Sequence, residues 1–114
     1  MSAAAGRHPS DADRERAALP VLEALLRAAR EHDDDALAAC YDEDVAWLDE
    51  HGTRRGRDAA VAAHRGIAAR EGLRWAPPQQ QGARAVLRWR GPDGARGAIV
   101  VEVRRERVVF AATA

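Results

Sequence analysis

The segment around Asp49 carries the side chains best suited to chemistry. Val45, Trp47 and Asp49 fall at alternate positions, so in a strand all three point to one face. A carboxylate that borders an apolar pocket is poorly solvated, which raises its pKa and makes it a better proton acceptor. This placement predicts Asp49 as a candidate base for proton transfer. An alternative stays open, in which Asp49 only ends the strand and accepts hydrogen bonds from backbone N–H groups of the next turn.

Two histidines are candidates to assist Asp49. His64 belongs to a predicted helix, four residues after Ala60 and three before Ile67, on a face that could pack over the sheet. There it would be a second acid or base, a group that orients a ligand carbonyl, or a structural histidine without chemistry. His51 follows Asp49 by two residues, which places it either at the mouth of a pocket or in a solvated turn.

The apolar residues of the predicted strands form one continuous face. Each tryptophan shares its strand face with aliphatic residues, which is typical of a core. In a curved sheet the inner face is both core and pocket wall, so the pattern favours a small, flat, apolar ligand. The predicted pocket residues are Val45, Trp47, His51, Trp75, Leu87, Trp89, Ile99 and Val101.

Composition excludes several other classes of function. The 18 acidic and 18 basic residues give a net charge of zero, whereas a nucleic-acid binder normally has a basic excess, so we expect no nucleic acid as a partner. No apolar run approaches the ~18–20 residues that span a bilayer, and the N-terminus lacks the apolar region of a signal peptide, so we expect a cytoplasmic protein without membrane contact. Acidic runs at Asp33 and Asp42 suit helix starts and turns, and no HExxH or CxxC occurs, so we predict neither metal nor cofactor.

The elements that must position these residues form an α+β pattern. Residues 1–12 are predicted to be a disordered tail, and residues 13–114 one domain. Helical spacing begins near residue 13, where Pro20 either starts the well-formed part of the helix or kinks it. Asp33 or Asp34 would cap a short second helix, and a third helix is predicted over 57–70.

One strand precedes the third helix, and about four strands follow it. Tyr41, at the end of the second helix, is expected to cap that helix by packing, with its hydroxyl at the surface. The stretch PPQQQG, residues 77–82, is predicted to be an edge or a loop, because proline cannot sit in a central strand. Together these elements predict a cone-shaped fold, in which three N-terminal helices pack on a curved, mostly antiparallel sheet.

The first half of the chain resembles a known superfamily. The stretch LLRAAREHDDDALAACYDEDVAWLDEHGTRRGRDAAVAAH is similar to the opening half of nuclear transport factor 2-like proteins, and especially to the SnoaL-like polyketide cyclase and ketosteroid isomerase branch. The similarity covers about residues 20–70, and later residues match by strand order alone. The matching positions are Tyr41, Asp44, Val45, Trp47, Asp49, Gly52, Gly56, Arg57 and Asp58.

The resemblance implies a function as well as a fold. In the enzymes of this branch the first strand points its final Asp into the cone, which implies that Asp49 is the catalytic base and His64 a pocket residue that could assist it. The oxyanion donors of ketosteroid isomerases have no counterpart, since their positions fall at Leu25 and near Ile99 or Val101. Losing one such donor typically costs ~100–1000-fold in rate, which disfavours steroid isomerisation.

Two functions therefore remain for the domain. It would bind a small apolar or polyketide-like molecule, with cofactor-free proton transfer, cyclisation or dehydration at Asp49, or it would be a non-catalytic carrier or dimerisation module. For the outer sheet face around Val86 and Val100, with its Arg and Glu residues, we predict a homodimer interface. The alternative is a merely solvated face.

Overall fold

The computed structural model describes residues 10–114. In this part of the chain three helices and seven strands follow one another, and none of the helices is long and apolar enough to cross a membrane. The predicted tail, residues 1–12, lies largely outside the described residues. The elements, in chain order, are α1 (Asp11–Glu31), α2 (Asp34–Cys40), β1 (Tyr41–Asp49), β2 (Gly52–Arg55), α3 (Arg57–Ala68), β3 (Arg74–Trp75), β4 (Gln79–Gln81), β5 (Arg84–Arg90), β6 (Arg96–Arg104) and β7 (Arg107–Thr113).

The helix starts follow from local side-chain chemistry. Ser10 caps α1, since its hydroxyl accepts from the N–H of Asp13 at 3.1 Å and the Asp13 carboxylate accepts from the N–H of Ser10 at 3.2 Å. The helix continues through Pro20, so this proline does not start it. Asp33 caps α2 by accepting from the N–H of Ala36 at 3.0 Å, which confirms one of the two predicted caps.

The strands form one curved sheet in the order β2-β1-β7-β6-β5-β3, with β4 also paired to β5. Only β1 and β7 pair in parallel; the other pairs are antiparallel, as expected for an α+β domain. The segment GTRR, which was not predicted to be a strand, is the edge strand β2. The polar QQQ segment is the edge strand β4, one of its two predicted structures.

Side chains alternate across the sheet and separate an inner face from an outer face. In β5 the residues Ala85, Leu87 and Trp89 are buried, whereas Arg84, Arg88 and Arg90 are exposed. The inner face packs against the apolar side of α1 and against α3, and together they form the core. The sheet therefore closes around its helices and leaves an open end where β1 and α3 finish.

Candidate functional site

The open end of the sheet holds a cleft of 330 Å³, which we call the mouth cleft. The end of β1 contributes Trp47 and Asp49 to its lining, the second half of α3 contributes Ile67, and β5 contributes Trp89. His51, from the turn after β1, also lines the cleft and is exposed. Of the residues predicted from sequence, the structure thus brings together Trp47, Asp49, His51 and Trp89.

The Asp49 carboxylate accepts hydrogen bonds from three protein donors. Its Oδ1 accepts from the backbone N–H of His51 at 2.8 Å. Its Oδ2 accepts from Nε1 of Trp47 at 3.1 Å and from the guanidinium of Arg54. Arg54 reaches it because Trp47 and Arg54 are direct partners in the β1–β2 hairpin.

These donors lower the pKa of Asp49, contrary to the expectation of a raised pKa. The backbone N–H of His51 has the largest effect, partial burial opposes it, and the side chains of Arg54 and Trp47 lower the pKa further. The carboxylate is therefore ionised at neutral pH and is a weaker base than an unpaired one. Asp49 both binds the turn after β1, as one interpretation predicted, and lines the cleft.

His64 lies in the core behind the mouth cleft. It is fully buried, and its Nδ1 shares a hydrogen bond with the hydroxyl of Tyr41 at 2.6 Å. The rings of Trp47 and Trp75 flank it, with centroids 6.3 and 5.7 Å from its own. Burial lowers the pKa of His64 to about 4, so the imidazole is neutral at pH 7. His64 is absent from the lining of the mouth cleft, whereas Trp47, whose ring packs beside it, belongs to that lining.

Tyr41 is the buried polar residue that sequence reasoning misplaced. Its side chain is fully buried and its hydroxyl contacts His64, so the expectation of a surface hydroxyl is wrong. Burial also raises the pKa of the phenol. The signal for this burial was present in the sequence, since Tyr41 has the same parity as Val45 and Trp47.

The remaining predicted pocket residues lie outside the lining of the mouth cleft, in the packed core or against it. Four of them are completely buried among core side chains: Val45, Leu87, Ile99 and Val101. Trp75 is half-buried and contacts His64 on one side. The inner part of the cone is thus filled by side chains, and the space available for a ligand lies at its mouth.

Two arginines at the mouth were not singled out from sequence. Arg70, just after α3, places its guanidinium carbon 4.9 Å from the centre of the Trp89 ring, in a cation–π contact. Arg96 lines the mouth cleft from the start of β6. Neither has a carboxylate partner among residues 10–114. The cleft therefore offers apolar walls, one ionised acceptor and free cationic donors.

Among the described residues, no group of three or more His, Cys, Asp or Glu is arranged to hold a metal ion. The positions that correspond to the isomerase oxyanion donors, Leu25 and Ile99, are buried apolar residues. The site can therefore hold an apolar molecule and accept one of its hydrogen bonds, without a preformed oxyanion hole.

The three helices, the curved sheet and the cleft at its open end are those of an NTF2-like α+β domain. The sequence model of the SnoaL-like domain matches residues 22–111, and the chain belongs to this family. A comparison with curated proteins found no match.

Solved structures share the whole fold. An NTF2-like protein of unknown function from Mesorhizobium loti is 26% identical, with a TM-score of 0.73 over 93% of this chain and 94% of that one. A candidate polyketide cyclase from Sinorhizobium meliloti is 16% identical, with a TM-score of 0.67 over 83% and 94%. An LEH-like epoxide hydrolase from M. tuberculosis is 21% identical, with a TM-score of 0.63 over 86% and 81%. At these identities, the two enzyme-like structures show the shared fold alone.

Proposed function

We propose that this domain binds a small apolar, polyketide-like molecule in the mouth cleft. The observation that carries the proposal is the meeting of the apolar side chains of Trp47, Ile67 and Trp89 with the Asp49 carboxylate in one cleft. Binding sites for small molecules typically combine apolar walls with a few placed polar groups. A candidate polyketide cyclase shares the fold, which makes polyketide-like molecules the class to test first.

Asp49 has room for one ligand hydroxyl. An ionised carboxylate has about four lone-pair sites, and three protein donors already use Asp49. The remaining site suits the O–H of a phenol or enol, groups that polyketides carry. Charged hydrogen bonds of this kind are worth about 1.5–3 kcal/mol.

Binding is favoured over catalysis for a physical reason. Cofactor-free proton transfer, cyclisation or dehydration would use the same cleft, with Asp49 as the base. The donors around Asp49 stabilise the ionised carboxylate and so reduce its tendency to take a proton. His64 has no access to the cleft through which to assist it, and we assign it the role of positioning Trp47 from behind. A non-catalytic carrier is therefore our first candidate.

Replacing Asp49 by Asn should weaken binding of a hydroxylated aromatic probe. With 2,6-dihydroxyanthraquinone, whose hydroxyls are too far from the ring carbonyls to bond to them, followed by quenching of tryptophan fluorescence, we expect the Kd to rise about tenfold or more in Asp49→Asn, because the ionised acceptor is lost. Unsubstituted anthraquinone, which has no hydroxyl, should bind both proteins alike.

The matched control is Glu106→Gln, which removes one negative charge in the exposed turn before β7. It should leave the Kd of the dihydroxy probe unchanged. If neither anthraquinone gives saturable quenching, or if Asp49→Asn binds the dihydroxy probe as well as the wild type does, the proposed site is wrong.

The outer sheet face favours a second candidate function, dimerisation. One apolar row crosses β1, β7, β6 and β5 on this face. Each of its residues is the register partner of the next one: Leu48, Ala112, Val100 and Val86. Leu48 is 40% exposed, and the other three are half-buried. We propose that a second copy of this chain covers this row through a two-fold interface.

Leu48→Gln should dissociate such a dimer. Each copy would lose the burial of one leucine, about 1.5–3 kcal/mol, so the dimer Kd should rise at least tenfold in sedimentation velocity. Leu19→Gln is the matched control, since Leu19 is 37% exposed but lies on α1. A monomeric wild type at high concentration would contradict the proposal.

A further inference from the structure

A second cleft lies on the outer face of the sheet, where β3, β5 and β6 lie side by side. This outer cleft encloses 670 Å³ and is about twice the volume of the mouth cleft. Four arginines line it: Arg74, Arg88, Arg90 and Arg96. Ala76, Ala98 and Ala114 also line it. Trp75 and Trp89 border it as well, but their side chains face the inner side of the sheet. Asp49 is not in its lining, although the two clefts meet at residues that line both: Trp89, Arg96, Gly97, Ala98 and Ala114.

The arginines of the outer cleft are brought together by strand register. Arg90 is the direct partner of both Arg74 in β3 and Arg96 in β6. Like charges in directly opposite positions of a sheet are unfavourable unless an anion lies between them. Among residues 10–114 none of these arginines forms an ion pair, and Arg88 donates only to the amide oxygen of Gln79, at 2.9 Å.

The other end of the same face shows what a neutralised arginine pair looks like. There Arg84 and Arg104 both donate to Glu102, at 3.1 and 2.6 Å. No Asp or Glu side chain lines the outer cleft. One sheet face therefore carries a balanced end and an unbalanced cationic end, and the outer cleft lies at the unbalanced end.

We propose that the outer cleft binds a small organic anion. Its apolar part would lie against Ala76 and Ala98, and its sulfonate, phosphate or carboxylate would contact the arginines. Guanidinium groups suit such anions because they present paired N–H donors to the oxygens. The apolar floor adds contact area that an inorganic anion could not use. This proposal does not depend on binding in the mouth cleft.

Two dyes with the same ring system test the anionic part of the proposal. The probe is 8-anilinonaphthalene-1-sulfonate, and its comparison is N-phenyl-1-naphthylamine, which lacks the sulfonate. In the double variant Arg88→Gln/Arg90→Gln, the Kd of the sulfonate should rise about tenfold, since two exposed charge contacts are lost. The Kd of the neutral dye should change less than twofold. Salt should weaken sulfonate binding to the wild type and have little effect on the double variant.

The control variant removes the same charge from the balanced end of the face. Arg84→Gln/Arg104→Gln should bind the sulfonate as the wild type does. An equal loss in both double variants would show a general charge effect and overturn the assignment of the site. A fall in binding of both dyes in Arg88→Gln/Arg90→Gln, or no fall in either, would also overturn it. Displacement of the sulfonate by a twelve-residue oligothymidine at low micromolar concentration would overturn the proposal, because it would indicate that the ligand is a nucleic acid.

The dye experiment tests the outer cleft whether or not a ligand binds in the mouth cleft. Asp49→Asn should leave the ratio of the two dye affinities unchanged, because Asp49 does not line the outer cleft. Loss of anthraquinone binding with an intact sulfonate response would leave the outer cleft standing alone. Anthraquinone binding without the expected sulfonate response would support the mouth cleft alone as a binding site.

Discussion

Lowering the pH from 7 to 5 should destabilise the domain by about 2 kcal/mol through His64 alone. The ordinary pKa of histidine is 6.5, and burial lowers it to about 4 in the folded protein. Between these values the unfolded chain binds a proton that the folded protein does not, so stability rises with pH in this window. Acidification towards pH 4 removes this contribution of neutral His64 to the stability of the fold. Urea unfolding at pH 7, 6 and 5 measures the effect.

Between pH 7 and 5 the change in stability reports the protonation of His64 and not that of the carboxylates whose pKa values the fold lowers. The pKa values of Asp13, Asp49 and Glu102 are lowered from ordinary values of 3.8, 3.8 and 4.5, so their contributions are lost at more acidic pH. His64→Gln, which can keep the hydrogen bond to Tyr41, should flatten the stability profile between pH 7 and 5. His51→Gln, at an exposed position, should keep the wild-type profile.

If His64→Gln fails to fold, an NMR titration of the wild type measures the pKa of His64 directly. The Hε1 resonance of His64 in the wild type should keep its neutral chemical shift down to about pH 5. A midpoint near 6.5 for this resonance, with the native fold intact, would contradict the burial argument.

Most of the fold was predictable because its signals are local. Helical spacing, the Asp33 cap and the alternation in β5 and β6 depend on neighbouring residues. The strand β2 was missed because all four of its residues are exposed and none is a large apolar residue. Its pairing is set by the turn after Asp49 rather than by burial, which leaves no alternation to detect.

The chemistry of the site was less predictable because it depends on contacts across elements. The position of Asp49 at the mouth follows from strand parity, but its lowered pKa depends on Arg54, which reaches it only once β2 is paired. The bond between Tyr41 and His64 joins β1 to α3 across 23 residues. Parity indicates that Tyr41 is buried, yet it cannot identify the partner of its hydroxyl.

Gly97 leaves room for the Trp89 ring because it has no side chain. Substitution of Gly97 is the second change for which we expect a large effect on stability. A Cβ at residue 97 would lie 2.5 Å from Cζ2 and 2.6 Å from Cε2 of the Trp89 indole. The ring cannot move away cheaply, because it is 8% exposed and Arg70 packs over it. Overpacking of this kind costs about 1–3 kcal/mol, so Gly97→Ala should lower the free energy of unfolding by that amount.

The same substitution at Gly66 should have the opposite sign. Gly66 lies inside α3, and no atom lies within 4 Å of a Cβ added there. Alanine in a helix interior is better than glycine by about 0.5–1 kcal/mol, so Gly66→Ala should stabilise the domain. Chemical denaturation of the two variants beside the wild type measures both changes. Equal effects at the two positions would show that the indole contact is not the cause.

A double-mutant cycle links the cost at Gly97 to the indole itself. Phenylalanine at residue 89 lacks the Cζ2, Cε2 and Nε1 atoms that a Cβ at residue 97 would meet. Gly97→Ala should therefore cost much less in a Trp89→Phe background than in the wild type, with a coupling free energy of about 1 kcal/mol or more. Additive costs would mean that alanine strains the β6 backbone instead. Because Trp89 lines the mouth cleft, Gly97→Ala alone should also weaken binding of the dihydroxyanthraquinone probe, while Gly66→Ala should not.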